Sequence, residues 1–169
     1  NWKSKPDIGF DFLLLRNTDM SARESIYRFC NYQLRSHQET RNKLYEIGCK
    51  TPEVEELIAE LIEKGLLNEE QYARAIARGR FRLKRWGRIK ITQYLKIHKV
   101  SDYCIKKAMT EIDTDEYYET LQKLAAKKWV ELKSEKMIPI RKNKTFRYLL
   151  QKGYEGGLIS EVITELVNK

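Results

Sequence analysis

The stretch GCKTPEVEELIAEL, residues 48–61, decides the fold. After Gly48, the apolar residues Val54, Leu57, Ile58 and Leu61 fall at intervals of three, four and seven, which places them on one face of an α-helix. The same face returns in GYEGGLISEVITEL (153–166), where Ile159, Val162, Ile163 and Leu166 hold identical offsets from Gly153. It returns again in KVSDYCIKKAMTEI (99–112), with Lys99 in the glycine's place and Ile105, Ala108, Met109 and Ile112 in register. One helix face built three times, after the same kind of helix end, predicts an all-α chain: a tandem array of three three-helix repeats, elongated and curved. Such arrays form extended surfaces for partners more often than catalytic pockets.

Working outward, unit starts near residues 21, 68 and 114 divide the chain into an N-terminal arm (1–20) and repeats at 21–67, 68–112 and 113–169. In the first repeat, Ser36 and Glu39 fit a capping box before Lys43, Leu44 and Ile47. Thr51 then Pro52 read as N-cap and first helical residue. Asn68 caps a long helix whose first turn carries Glu69 and Glu70, and Gly87 breaks it. Ser101 and Asp113 offer later caps, and a loop around Met137 to Ile140 holds Pro139. In the arm, Phe10, Phe12 and the three leucines Leu13, Leu14 and Leu15 suit a short strand or a packing segment.

Composition narrows the function classes. Hydrophobic residues make up 41% of the 169, enough for a core, so wholesale disorder is excluded. The apolar run Phe12 to Leu15 is far short of the roughly 20 residues that span a bilayer, so no membrane partner is expected and the cytoplasm is the default compartment. Cys30, Cys49 and Cys104 form no CxxC pair and lie far in sequence from His37 and His98, so neither a metal site nor a disulfide framework is expected. No glycine-rich phosphate loop, paired histidine ligands or nucleophile motif is present. Neither an enzyme nor a cofactor is therefore expected.

Charge is segregated. The net charge is +9. From Gln71 to Lys107 twelve Lys or Arg face the single acid Asp102, whereas Glu53 to Glu70 holds seven acids and one base, Lys64. This sets up a directional field suited to an anionic partner. On the long helix Arg74, Arg78, Arg82 and Arg85 recur at four, four and three, forming a row roughly 16 Å long at 1.5 Å per residue. Arg80, Lys84, Arg88 and Lys90 thicken it, and Lys142, Lys144 and Arg147 form a second cluster. The opposing face, Tyr72, Ala75, Ile76, Gly79, Leu83 and Trp86, reads as buried. A row of like charges at helical spacing costs about 0.2–0.5 kcal/mol per adjacent pair. Either an anionic partner or the acidic third helix of the first repeat would neutralise it. Trp86 beside Gly87 suits base stacking or the core, and Phe146 and Tyr148 share that ambiguity.

The run Arg35-Ser36 with Glu39, Lys43-Leu44 and Gly48, then Gly65-Leu66-Leu67-Asn68 and Tyr72-Ala73, resembles the RecX family of recombination regulators. The continuation from Arg78 through Arg85-Trp86-Gly87-Arg88-Ile89 to Leu95 is similar to that family's second unit. The resemblance covers roughly Ser21 to Val167. Thr40 stands where the family usually has an apolar residue, and Lys99 where it often has glycine. The resemblance implies a non-enzymatic, monomeric protein of DNA recombination, repair and the SOS response that binds the RecA recombinase filament. Family members lodge in the filament groove or block its growth, inhibiting ATP hydrolysis and strand exchange, and single- and double-stranded DNA are weaker, electrostatic partners. The basic residues above are then the recombinase- or DNA-binding surface. A sequence-independent DNA-binding helical protein without recombinase specificity is the alternative.

Overall fold

The computed structural model describes residues 21–168; the arm expected over residues 1–20 lies outside the described residues. Among them every regular element is a helix: α1 (Ala22–Tyr32), α2 (His37–Glu46), α3 (Thr51–Glu63), α4 (Glu69–Lys84), α5 (Arg88–Ile97), α6 (Asp102–Met109), α7 (Thr114–Glu131), α8 (Ile138–Lys152) and α9 (Gly156–Val167). They form two compact units, residues 21–35 with 39–67, and residues 36–38 with 68–168.

In the first unit, Ile26 and Cys30 of α1, Leu44 of α2 and Val54, Leu57, Ile58 and Leu61 of α3 enclose one core with Cys49 and Leu67. The i, i+3, i+4, i+7 face of α3 is therefore buried in full. Helix α3 starts one residue earlier than the Thr51 cap reading requires: Lys50 is the cap, with extended backbone and no side-chain bond. The Thr51 hydroxyl instead lies 3.3 Å from the Tyr45 hydroxyl, which donates to it. On the outside, Arg41 donates to both Glu55 oxygens at 2.9 and 2.8 Å. Glu60 receives Lys64 at 2.7 Å, Arg23 at 3.0 Å and the Tyr27 hydroxyl at 2.6 Å. The Lys64 and Tyr27 hydrogen bonds hold its carboxyl below the usual carboxylate range.

In the second unit α4 packs most extensively against α6, α5 touches both, and α7, α8 and α9 pack against one another. A single core runs through all six helices. The face that α4 buries is Tyr72, Ala73, Ala77 and Phe81, which shares only Tyr72 with the expected stripe: Trp86, Ala75, Ile76 and Gly79 are half-buried and Leu83 is 82% exposed. Ala73 and Ala77 carry too little apolar surface to stand out in a pattern, yet small side chains permit close helix approach, and that sets the buried face.

The three repeated helix ends close alike. The amides of Cys49, Val100 and Tyr154 bond the carbonyls of Leu44, Leu95 and Leu149, each five residues back, at 3.1, 3.1 and 3.3 Å. Gly48 and Gly153 take φ of 93° and 90°, and Lys99 takes 55°. Lys99 accepts a left-handed conformation that costs a residue with a Cβ about 1–2 kcal/mol. The departure from glycine thus leaves the motif intact.

Gly87 differs from the expected helix break. The left-handed stop of α4 falls on Arg85, with φ of 55°, whereas Gly87 has φ of −75° and opens α5. Its missing side chain serves contact. The Gly87 amide donates to the Lys152 carbonyl at 2.8 Å and the Ile89 amide to the Gly153 carbonyl at 3.1 Å. A Cβ on Gly87 would overlap the Gly153 carbonyl and the Tyr154 amide nitrogen, and one on Gly153 would overlap Lys90. Beside this seam the Tyr117 hydroxyl accepts from the Arg88 amide at 3.0 Å and donates to Glu155 at 2.6 Å. Tyr154 donates to the Arg85 carbonyl at 3.3 Å. Helix α8 begins at Ile138 with Pro139 in its first turn, so the loop expected around Met137 to Ile140 ends earlier.

Gly87→Ala is expected to destabilise the chain by about 3 kcal/mol through overpacking of this seam. Gly79→Ala, whose Cβ meets nothing within 4 Å, should stabilise it by about 0.5–1 kcal/mol. Urea midpoints at unchanged slope distinguish the two. Burial raises the phenols of Tyr117 and Tyr154 well above the ordinary tyrosine value. A raised folded-state pKa contributes stability that is full below about pH 10 and is lost as pH rises further. Urea melts at about pH 9 and about pH 11 should therefore show a decline that Tyr154→Phe makes shallower.

Candidate functional site

Helix α4 and its exit carry the basic row, and the structure sorts the row into engaged and free cations. Arg74 is held on both sides, to Glu70 at 2.8 Å and to Glu111 at 2.6 Å. Those carboxylates, Glu111 first, push its guanidinium pKa higher still. Arg78 reaches the other Glu111 oxygen at 3.3 Å. Glu111 lies just beyond α6, so this part of the row is balanced by an acid of its own unit.

Three more of the expected site residues face inward. Arg80 donates to the Tyr94 hydroxyl at 3.0 Å, with its guanidinium 5.2 Å from the Trp86 ring centre and 4.7 Å from that of Tyr94. Lys90 donates to the Gln151 carbonyl at 3.0 Å and sits 4.9 Å over Trp86. Arg88 lies 4.2 Å over Tyr117 and donates to the Ile112 carbonyl at 3.3 Å. Trp86 is half-buried against the core, edge-on to Tyr94, beneath Arg80 and Lys90. Phe146 and Tyr148 pack on the same core.

Arg82, Lys84 and Arg85 remain, exposed and without an ion pair among the described residues. They gather at the C-terminus of α4, where positive charge is favoured by the helix dipole. Arg85 also lines a cavity of about 240 Å³ with Lys123, Lys127, Glu116 and Glu119. Lys127 therefore extends the cluster and was not among the expected site residues; its signal was the basic step at Lys127-Lys128. In the second cluster Lys144 is taken by Glu135 at 2.9 Å, while Lys142 and Arg147 line a groove between α8 and α9. Among the described residues no group of His, Cys, Asp or Glu is placed to hold a metal ion, and no helix is long and apolar enough to cross a membrane. The three cysteines are free and buried, and burial pushes each thiol up.

This chain matches family models for the second three-helix domain of RecX over residues 68–109 and the third over residues 115–163. It is 31% identical over 159 residues to the regulatory protein RecX of Clostridium perfringens, covering 94% of this chain and 71% of that one. The chain belongs to the RecX family. A RecX of Prosthecochloris aestuarii is 28% identical over 89% of this chain and 98% of its own. The crystal structure of RecX from Lactobacillus salivarius shares the fold with a TM-score of 0.79, at 24% identity over 88% of this chain and 96% of that one. A second RecX crystal structure gives 0.75 at 20% identity, over 96% of this chain and 80% of that one. These RecX likenesses fit a helical repeat array, and the relatives carry the name of regulatory proteins.

Glu111→Gln is expected to release Arg78 and to leave Arg74 with Glu70 alone, at little cost in stability since both pairs are partly exposed. The variant should elute from heparin at higher salt than the parent. Unchanged elution would mean that Glu111 does not restrain the row.

Proposed function

We propose that this chain binds the RecA recombinase filament and restrains it, lodging in the filament groove or blocking its growth, so that ATP hydrolysis and strand exchange fall. Membership of the RecX family carries this reading. The unpaired Arg82, Lys84 and Arg85 support it, because an anionic filament surface offers carboxylates and phosphates that a guanidinium can bond in two places. The working units are repeats at 21–67, 68–112 and 113–169 with an arm at 1–20, acting as a cytoplasmic monomer without cofactor. DNA contact is secondary and electrostatic.

The row is proposed to act in two parts. Arg74 and Arg78 are committed to Glu111 and give up that pairing before they meet a partner, whereas Arg82, Lys84 and Arg85 need no such release. Arg80, Arg88 and Lys90 support the surface from below through their aromatic and carbonyl contacts.

Added to RecA filaments preassembled on excess single-stranded DNA, the protein is expected to lower the ATPase rate. Combining Arg82→Ala and Lys84→Ala with Arg85→Gly, which suits the left-handed position, should weaken the effect about tenfold or more and flatten its salt dependence. An unchanged rate with the parent protein would sink the recombinase reading and leave a sequence-independent DNA binder.

A further inference from the structure

The three repeats share one register, and comparing it position by position exposes a difference confined to the third. Seven residues before the repeated helix stop stand Arg41, Thr92 and Phe146; seven after it stand Glu55, Lys106 and Ser160; ten after it stand Ile58, Met109 and Ile163. In the first repeat Arg41 reaches across to Glu55 with a two-pronged bond, tying α2 to α3. In the second the Thr92 hydroxyl donates to the Met109 sulfur at 4.0 Å, tying α5 to α6. In the third the equivalent space is an open groove of about 660 Å³.

Its chemistry is specific. Pro139, half-buried Phe146 and exposed Leu150 recur along one side of α8, and Ile163, a core residue of α9, closes the floor between them. Leu150 is 44% exposed although it belongs to this apolar stripe. Ser160 and Thr164 also line the groove, but their hydroxyls donate inward to the Gly156 and Ser160 carbonyls at 3.0 and 2.8 Å. Lys142 and Arg147 line the same groove with no acidic partner among the described residues. The contrast with the second repeat is informative, because the residue equivalent to Lys142 is Arg88, which spends its charge internally on Tyr117 and the Ile112 carbonyl.

We propose that the α8–α9 groove docks an acidic amphipathic helix of a partner protein, its apolar face on Phe146, Leu150 and Ile163 and its carboxylates on Lys142 and Arg147. Pro139 to Leu150 spans about three helical turns, or roughly 16 Å, which matches side chains at i, i+4, i+7 and i+11 of a docked helix. Charge selects the occupant. The chain carries +9 overall, so a second copy is repelled, and its own acidic amphipathic helix α3 already buries Val54, Leu57, Ile58 and Leu61. A nucleic acid strand needs cations in succession along its backbone, whereas this groove offers two around an apolar floor. The proposal does not depend on the recombinase reading.

The probe is a fluorescein-labelled synthetic peptide of about five helical turns, with Leu at i, i+3, i+4 and i+7 spacing and Glu on the flanks. Its anisotropy is followed as the full chain is added, with neither recombinase nor DNA present. Saturable binding with a Kd of about 1–100 µM is expected. Lys142→Glu with Arg147→Glu should weaken it about tenfold or more, while the thermal melt stays in place. Phe146→Arg with Ser160→Glu grafts the first repeat's closing pair into the third and should remove binding by filling the groove. A peptide with Lys in place of Glu should not bind. The proposal is overturned by absence of saturation, by equal affinity for both folded double variants, or by equal binding of the Lys peptide. It is equally overturned if a single-stranded oligonucleotide, and not the Glu peptide, loses affinity in the variants.

Discussion

Where α5 begins and α8 ends, two stretches of backbone meet with no side chain between them, and the arrangement of the second unit depends on that meeting. The Gly87 and Ile89 amides would be orphan donors at the start of α5, and the Lys152 and Gly153 carbonyls would be orphan acceptors at the end of α8. Each set satisfies the other. Both glycines are buried, so water cannot take over the role, and a side chain on either would force the seam apart. Tyr117 and Tyr154 extend the seam through hydrogen bonds to Arg88, Glu155 and the Arg85 carbonyl. The basic end of α4 therefore emerges from a fixed junction. A cation displayed from such a place loses side-chain freedom when it binds but little backbone freedom, which is an advantage that a cation on a mobile loop lacks.

The repeats show how one register can be reused for different ends. Matching helix stops and matching apolar faces fix the pairing of helices, and they do so whether the stop is Gly48, Lys99 or Gly153. The positions seven residues either side of the stop are not needed for that pairing. Arg41 with Glu55, Thr92 with Lys106 and Phe146 with Ser160 occupy the same places with unrelated chemistry. Core positions in an array answer to their neighbours, while these outward ones are at liberty to answer to something else.

Much of the architecture was legible because its signals are local. The apolar spacing after Gly48, Lys99 and Gly153, the Asn68, Ser101 and Asp113 caps and the left-handed stops all act within one or two turns. The α4 face was misread because burial there is decided by the closeness of α6, to which Ala73 and Ala77 contribute by being small. Gly87 was read as a conformational break although its purpose is contact with a segment 66 residues away in the chain. Glu111 was invisible as a partner for the same reason: it meets Arg74 across a separation of 37 residues. The basic row could be seen in the sequence, but which of its members are free could not.

That division decides how the surface can work. An arginine already bonded to carboxylate can exchange that bond for another of similar kind, so the net gain on meeting a partner is small. Arg74 and Arg78 are in that position with Glu111. Arg80, Arg88 and Lys90 are covered by aromatic rings and backbone carbonyls, and removing them would disturb packing before it disturbed binding. Arg82, Lys84 and Arg85 have no ion pair to give up among the described residues. The row that looks uniform in the sequence is therefore a graded one: structural where it joins α5 and the third repeat, internally balanced along the body of α4, and available at its C-terminal end. Affinity for an anionic partner should concentrate in the few residues for which binding is not an exchange.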